Sequence, residues 1–242
     1  GASVKDAKAI RNVSNILNDY KEEKIIVVFS AMGKTTNLLE KINLSIHNKN
    51  EPEFKQLIKE LKAFHSLILN DLFKDSAHPI HQVVESKIQE LYGLFDQLSS
   101  ENHSLNYSKI VSYGEIISTI IICSYLESKN ISAQWLDARS VILTEEKHED
   151  TKILWKETIK SYLKNISDVF LTKNIIITQG FIGKNEKNET TTLGREGSDF
   201  SAAIFAYCGD AKEVIIWKDV PGMLNADPKY FENTVKLDSI SY

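Results

Sequence analysis

Two cysteines in 242 residues are too few for a disulfide framework. Cys123 and Cys208 both fall in apolar, helix-forming stretches, where they read as buried free thiols in a reducing compartment. The chain also lacks any unbroken apolar run near the ~20 residues that a membrane span requires. The longest, from Ile116 to Cys123, is interrupted by Ser118 and Thr119. No leader pattern opens the chain. Lysine and arginine never gather into a dense basic run, and the net charge of -4 argues against a nucleic-acid partner. His78 and His81 make a poor metal pair, because Pro79 separates them and no carboxylate lies close in sequence. These absences predict a cytoplasmic protein with no membrane segment, no nucleic-acid partner and no resident metal site. Internal repeats, low-complexity tracts and linkers are missing too, so one domain is expected over 1–242, with a helical insertion at about 52–101.

What is present is an alternation of strands and helices. Val4, Ala7, Ile10, Val13 and Leu17 recur at helical spacing. Ile25-Ile26-Val27-Val28-Phe29 is a run of β-formers without polar alternation, which suggests a strand covered on both faces. Phe54 to Leu72 and Ile80 to Leu98 carry two helical stripes, and Asp75, Ser76 and Pro79 break the chain between them. Ser112 and Glu115 fit a capping box opening an apolar helix that runs to Leu126. Ala133–Leu136 and Ile175–Thr178 read as strands, with a helix between Thr151 and Val169. The charged segment 184–190 reads as a hairpin or a mobile loop. A helix entered at Ser198 runs to Cys208, Glu213–Trp217 is a further strand, and 218–229 is a turn-rich loop. Polar, glycine-bearing segments follow the strands. That is the pattern of a three-layer α/β/α sandwich with a mostly parallel central sheet, whose ligands gather at the carboxyl ends of the strands.

Two segments carry chemistry. The first is Ser30-Ala31-Met32-Gly33-Lys34-Thr35-Thr36-Asn37, small and hydroxylated residues between a buried strand and a helix, suited to cradling phosphate. Gly33-Lys34-Thr35 imitates the end of a Walker loop, but Phe29 stands where that loop needs its first glycine. The plainer reading is a β-to-α turn with Asn37 and Glu40 as a cap pair. The second segment is Leu193-Gly194-Arg195-Glu196-Gly197-Ser198-Asp199. Glycines permit close backbone approach, Ser198 can cap the following helix, and Asp199 suits its first turn. A guanidinium beside a helix N-terminus makes an anion site. A capped surface helix bearing a stray arginine explains the same residues.

Six motifs in one order carry a resemblance. Gly-Ala-Ser-Val at 1–4, Ser-Ala-Met-Gly at 30–33, Ser-Tyr-Gly-Glu at 112–115, Gln-Gly-Phe at 179–181, Leu-Gly-Arg-Glu-Gly-Ser-Asp at 193–199, and Trp-Lys-Asp-Val-Pro-Gly at 217–222 with Ala-Asp-Pro at 226–228 resemble the aspartokinases of the amino acid kinase family. The resemblance spans the whole chain. It implies the α/β/α fold and ATP-dependent phosphorylation of the side-chain carboxylate of L-aspartate, the entry to lysine, threonine, methionine and isoleucine synthesis. It further implies substrate contacts at Thr36, Glu115, Arg195, Glu196, Gly197 and Ser198. Arg195 would take the α-carboxylate, Glu115 would answer the ammonium, and Asp199 would act with Arg195 in catalysis by ordering a lysine or the substrate. Nucleotide contacts are implied at Gly1, Ala2, Ser30, Gly33, Lys218, Asp219, Leu224 and Lys229, with Mg2+ bridging the phosphates. A homodimer is implied as well. The family's catalytic lysine lies in a Lys-Phe-Gly-Gly segment whose last glycine matches Gly1. That lysine, a later nucleotide-contacting segment and the ACT domains lie outside these residues, so little activity is expected of this chain alone. Leu224 and Lys229 stand where Tyr and Arg are frequent. A glutamate, carbamate or nucleoside monophosphate kinase, or a non-catalytic binding module, are the competing readings.

Overall fold

The computed structural model describes residues 1–98, 102–146, 151–218 and 222–240. Three parallel strands form the central sheet: β1 (Ile25–Phe29), β2 (Ala133–Leu136) and β3 (Ile175–Gln179), in the order β1-β3-β2. The register pairs Ile25 with Ile175 and Phe29 with Gln179 on one side of β3, and Ala133 with Ile175 and Leu136 with Thr178 on the other. β3 is buried throughout because it is central. β1 lies at the edge, and its first four residues are only partly buried, less than an apolar run of that kind suggests.

Alternation along the strands sends successive side chains to opposite layers. Ile25, Val27, Ala133, Ile175 and Ile177 join one apolar cluster with α1 (Ala7–Asp19), α2 (Thr35–His47), α3 (Glu51–Leu72), α4 (Ile80–Tyr92) and α6 (His103–Ser128). Ile26, Val28 and Ile176 face a second cluster with α7 (Trp155–Ile166) and α8 (Gly197–Cys208). This is the α/β/α sandwich. The stripes of α3 and α4 are continuous with the first cluster, and a short α5 (Leu94–Gln97) follows them. A two-stranded antiparallel hairpin, β4 (Ile182–Lys184) and β5 (Thr190–Thr192), occupies the charged segment between β3 and α8.

Four local readings are corrected. α6 starts at His103, not at Ser112: burial of Ile110 and Val111 carries the helix upstream, and the Ser112 hydroxyl donates to the Lys109 carbonyl within it. The capping box therefore dissolves, and Glu115 is a mid-helix residue. α2 starts at Thr35, so Asn37 and Glu40 are not a cap pair; Glu40 instead accepts from the Tyr107 hydroxyl. Ser198 lies inside α8, whose N-cap is Glu196. Segment 213–217 is not a strand. It finds no ladder partner among the described residues, and Ile216 and Trp217 are 46% and 59% exposed. β-propensity without a neighbouring edge leaves the backbone groups to water.

By length and apolar content alone α6 could cross a bilayer, a reading that its interrupted apolar run did not suggest. Instead it is the central helix of the inner layer, with 78% of its most apolar window buried by protein. His78 and His81 serve packing. His78 packs at a tilt against Phe73 with ring centroids 4.5 Å apart, and its Nδ1 accepts the Ile80 N–H at the start of α4.

α6 approaches the β1–α2 turn through Gly114, where an added Cβ would lie 2.8 Å from Ala31 Cβ and 3.1 Å from Leu39 Cδ1. We expect Gly114→Ala to cost about 1–3 kcal/mol by overpacking. Gly93 has φ -65° and only ordinary contacts around such an atom, so Gly93→Ala should stabilise by about 0.4–1 kcal/mol. Urea unfolding of both variants checks the opposite signs.

Candidate active site

The Phe29–Gln179 pair ends the β1–β3 register, and the Gly180 N–H adds one last bond to the Phe29 carbonyl at 2.9 Å. Beyond it the two chains separate. β1 turns through Ser30–Lys34 into α2, and β3 turns through Gly180 and Phe181 into the hairpin. A cleft of about 300 Å³ opens where they part, as expected at the carboxyl ends of parallel strands.

One wall is the start of α8. Gly180 and Gly197 permit it: a Cβ on Gly180 would lie 2.5 Å from Ser198 Oγ, and one on Gly197 2.6 Å from Phe181 Cδ2. Phe181 holds φ +71°, unusual for a bulky side chain. Backbone contacts on both sides impose it. Its N–H donates to Ser201 Oγ at 2.9 Å and its carbonyl accepts the Leu193 N–H at 2.9 Å. Phe181 lines the cleft together with Gly194 and Glu196.

The opposite wall is the β1–α2 turn. Gly33 takes φ +54° there, and its N–H donates to the Gly1 carbonyl at 3.4 Å. Ser30 Oγ donates to Ser198 Oγ at 2.9 Å, joining the two walls. α6 forms the floor. The Ser118 hydroxyl donates to the Ser30 carbonyl at 2.9 Å, and Glu115 Oε1 accepts the Ala31 N–H at 3.1 Å. Glu115 is 3% exposed, yet its Oε2 has no hydrogen-bond partner among the described residues. Burial pushes this carboxyl up to about 7, against the Ala31 N–H, which favours the charged form. A half-satisfied acid in a polar cleft is what an incoming cation would complete.

Lys218 closes the rim. Its ammonium lies 2.7 Å from Asp199 Oδ2 and 3.6 Å from Glu196 Oε2. The Asp199 hydrogen bond, against some desolvation, holds the ammonium above its ordinary range.

Gly1, Ser30, Gly33, Thr36, Glu115, Glu196, Gly197, Ser198, Asp199 and Lys218 thus meet around one cleft. Arg195 does not line it. It is exposed in the loop between two residues that do, Gly194 and Glu196. Ala2 is exposed in a 3₁₀ turn beside the cleft wall. Leu224 bridges to Lys236, and Lys229 is exposed with its N–H on Asp227; both belong to the open segment after Lys218. Asp219 lies outside the described residues. Ala31, Phe181 and Gly194 also line the cleft. The signal for Phe181 was available: it follows a buried strand and Gly180, where a chain must turn sharply.

The sequence profile of the amino acid kinase family matches residues 1–242. The chain belongs to the amino acid kinase family. Within that family it is similar to lysine-sensitive aspartokinase 3 of Escherichia coli, at 30% identity over 100% of this chain and 52% of that protein. It is likewise similar to an aspartokinase of Chlamydia muridarum, at 32% identity over 100% of this chain and 52% of the relative. It therefore spans about half the length of these relatives. The crystal structure of E. coli aspartokinase III in complex with aspartate and ADP superposes with a TM-score of 0.88, at 28% identity over 98% of this chain and 52% of that one.

Glu115 gives this site a pH signature. Its carboxyl is raised in the folded state, so the stability it contributes is present below pH about 4.5 and is lost as pH rises through about 7. Glu115→Gln removes the titration. We expect the variant to gain stability relative to the parent between pH 5.5 and 8.5, read as a widening difference in urea midpoints.

Proposed function

We propose that this chain is the catalytic domain of an aspartokinase, transferring the γ-phosphoryl group of ATP to the side-chain carboxylate of L-aspartate. The observation that carries the reading is the unpartnered Oε2 of buried Glu115, facing a cleft shared by the Gly33 turn and the N-terminus of α8. A zwitterion with an ammonium and two carboxylates is complementary to that arrangement. The similarity to an aspartokinase whose structure holds aspartate and ADP supports the same substrates here.

In this reading Glu115 accepts the substrate ammonium. Arg195, free at the rim, folds over the α-carboxylate and pairs with it bidentately. Thr36 and Ser198 fix orientation through their hydroxyls, and Glu196 and Gly197 shape the same wall. The amides and hydroxyl near Gly1, Ala2, Ser30 and Gly33 receive phosphate oxygens. Lys218 contacts the nucleotide with Asp219, Leu224 and Lys229. Asp199 holds a lysine ammonium beside the transferred group, as it holds that of Lys218 at 2.7 Å. A side-chain carboxylate oxygen of the substrate attacks the γ-phosphorus, the bond to the β,γ-bridging oxygen breaks, and ADP and 4-phospho-L-aspartate form. Such a transfer needs alignment and charge neutralisation more than covalent help.

Mg2+ neutralises the phosphate charge when bound. Among the described residues no three His, Cys, Asp or Glu side chains gather as a cage. Asp199 and Glu196, the α8 carboxylates that line the cleft, would hold a hydrated ion there. The product class feeds lysine, threonine, methionine and isoleucine synthesis, and a homodimer is the assembly we propose.

The test is phosphoryl transfer by the full-length protein to aspartate, glutamate and UMP. Activity with aspartate alone is expected, and inertness with aspartate alongside activity with glutamate overturns the substrate. Arg195→Ala should weaken aspartate binding by on the order of 2–3 kcal/mol while sparing ATP. Equal losses for both ligands, measured by calorimetry on a folded variant, contradict the role. Aspartate binding near pH 6.5 should also release a proton, because the ammonium favours ionised Glu115. Calorimetry in buffers of different ionisation enthalpy reads that proton directly.

A further inference from the structure

Beneath the cleft lies a buried polar network that the reaction does not touch. Gln179 ends β3 with its side chain fully buried. Its Oε1 accepts the Ala138 N–H at 2.8 Å, and its Nε2 donates to Thr119 Oγ1 at 2.7 Å. The Trp135 indole N–H donates to the same Thr119 oxygen at 3.0 Å. The Thr119 hydroxyl donates to the Glu115 carbonyl at 2.8 Å, with the Ile116 carbonyl at 3.1 Å.

Donor and acceptor chemistry admits one assignment. The Ala138 amide and the Trp135 indole can only donate, so the Gln179 oxygen must face Ala138 and its NH₂ must face Thr119. Both lone pairs of the Thr119 hydroxyl are then filled, and its hydrogen has only the helix carbonyls to point to. The ends of β2 and β3 are thereby coupled through one hydroxyl to the backbone of Glu115. That residue is held again at its other end, where Oε1 accepts the Ala31 N–H.

We propose that Thr119 and Gln179 are positioning residues that set the height of the Glu115 carboxylate in the cleft, and so determine affinity for the substrate ammonium without touching it. The inference rests on the aspartokinase reading for its substrate, while the placement of Glu115 is measurable without one. Thr119→Val keeps the shape and removes the hydroxyl, leaving the buried Gln179 donor and the partly buried Trp135 donor unmatched; Thr119→Ser keeps the hydroxyl.

In the full-length protein Thr119→Val is expected to raise the KM for aspartate about tenfold, with the KM for ATP within about twofold and Thr119→Ser near the parent. Trp135→Phe, which removes one donor and keeps the fold, should raise the aspartate KM about threefold. Hydrogen exchange reads the same device with no ligand present. The Ala31 amide, bonded to Glu115, should exchange faster in Thr119→Val and not in Thr119→Ser, while the Ile177 amide in β3 keeps the parent rate. If Thr119→Val does not fold, Trp135→Phe decides by the same two measurements. Unchanged Ala31 exchange, or equal rises in both KM values, overturns the positioning role. Accelerated Ala31 exchange in a protein that does not phosphorylate aspartate supports the placement and refutes the substrate reading alone.

Discussion

The structure depends on a close contact between the end of β3 and the first turn of α8. Two glycines make it, Gly180 against Ser198 and Gly197 against Phe181. No Cβ fits at either position without displacing its neighbour, so the strand end and the helix N-terminus touch through backbone. The consequence is chemical. The Ser198 hydroxyl at the start of α8 and the Ser30 hydroxyl arrive within hydrogen-bonding distance of each other at the mouth of the sheet. Phe181, beside the same contact, holds a left-handed conformation and lines the cleft.

α6 supplies what the sheet cannot, a buried charge. An apolar helix in the inner layer shields the cleft floor from water, which is why a carboxylate on it is costly to ionise. One oxygen is compensated by a backbone amide and the other is not. The unmet half of that demand is what the proposed substrate ammonium would satisfy. Asp199, on the α8 wall, is a contrasting case. It is half-exposed and paired with Lys218 at 2.7 Å.

Much of this was legible along the chain. The strand cores at 25–29 and 175–178, the turn after Phe29, and the loop before α8 follow from apolar runs broken by small polar residues. Side-chain contacts decided the rest. Glu115 reads as a helix cap in sequence because Ser112 stands three residues before it. Only the burial of Ile110 and Val111 shows that the helix is already under way, which turns a capping acid into an inward one. Segment 213–217 has every local mark of a strand, yet pairing is a non-local property and no edge meets it among the described residues. Arg195 lies at the rim rather than in the cleft, because a long exposed side chain is placed by its partner and not by its neighbours in sequence.

By itself the sequence determined the layer pattern and the stretches that form the cleft walls, since these depend on unbroken apolar β-runs, helical stripes and glycine spacing, all local in the chain, while six ordered motifs carried the family resemblance. Tertiary structure alone decided which carboxylate is buried, which hydroxyls fix it and how Gln179, Trp135 and Thr119 meet, because those contacts join residues far apart in sequence, and desolvation and hydrogen-bond geometry exist only once the layers have closed on one another.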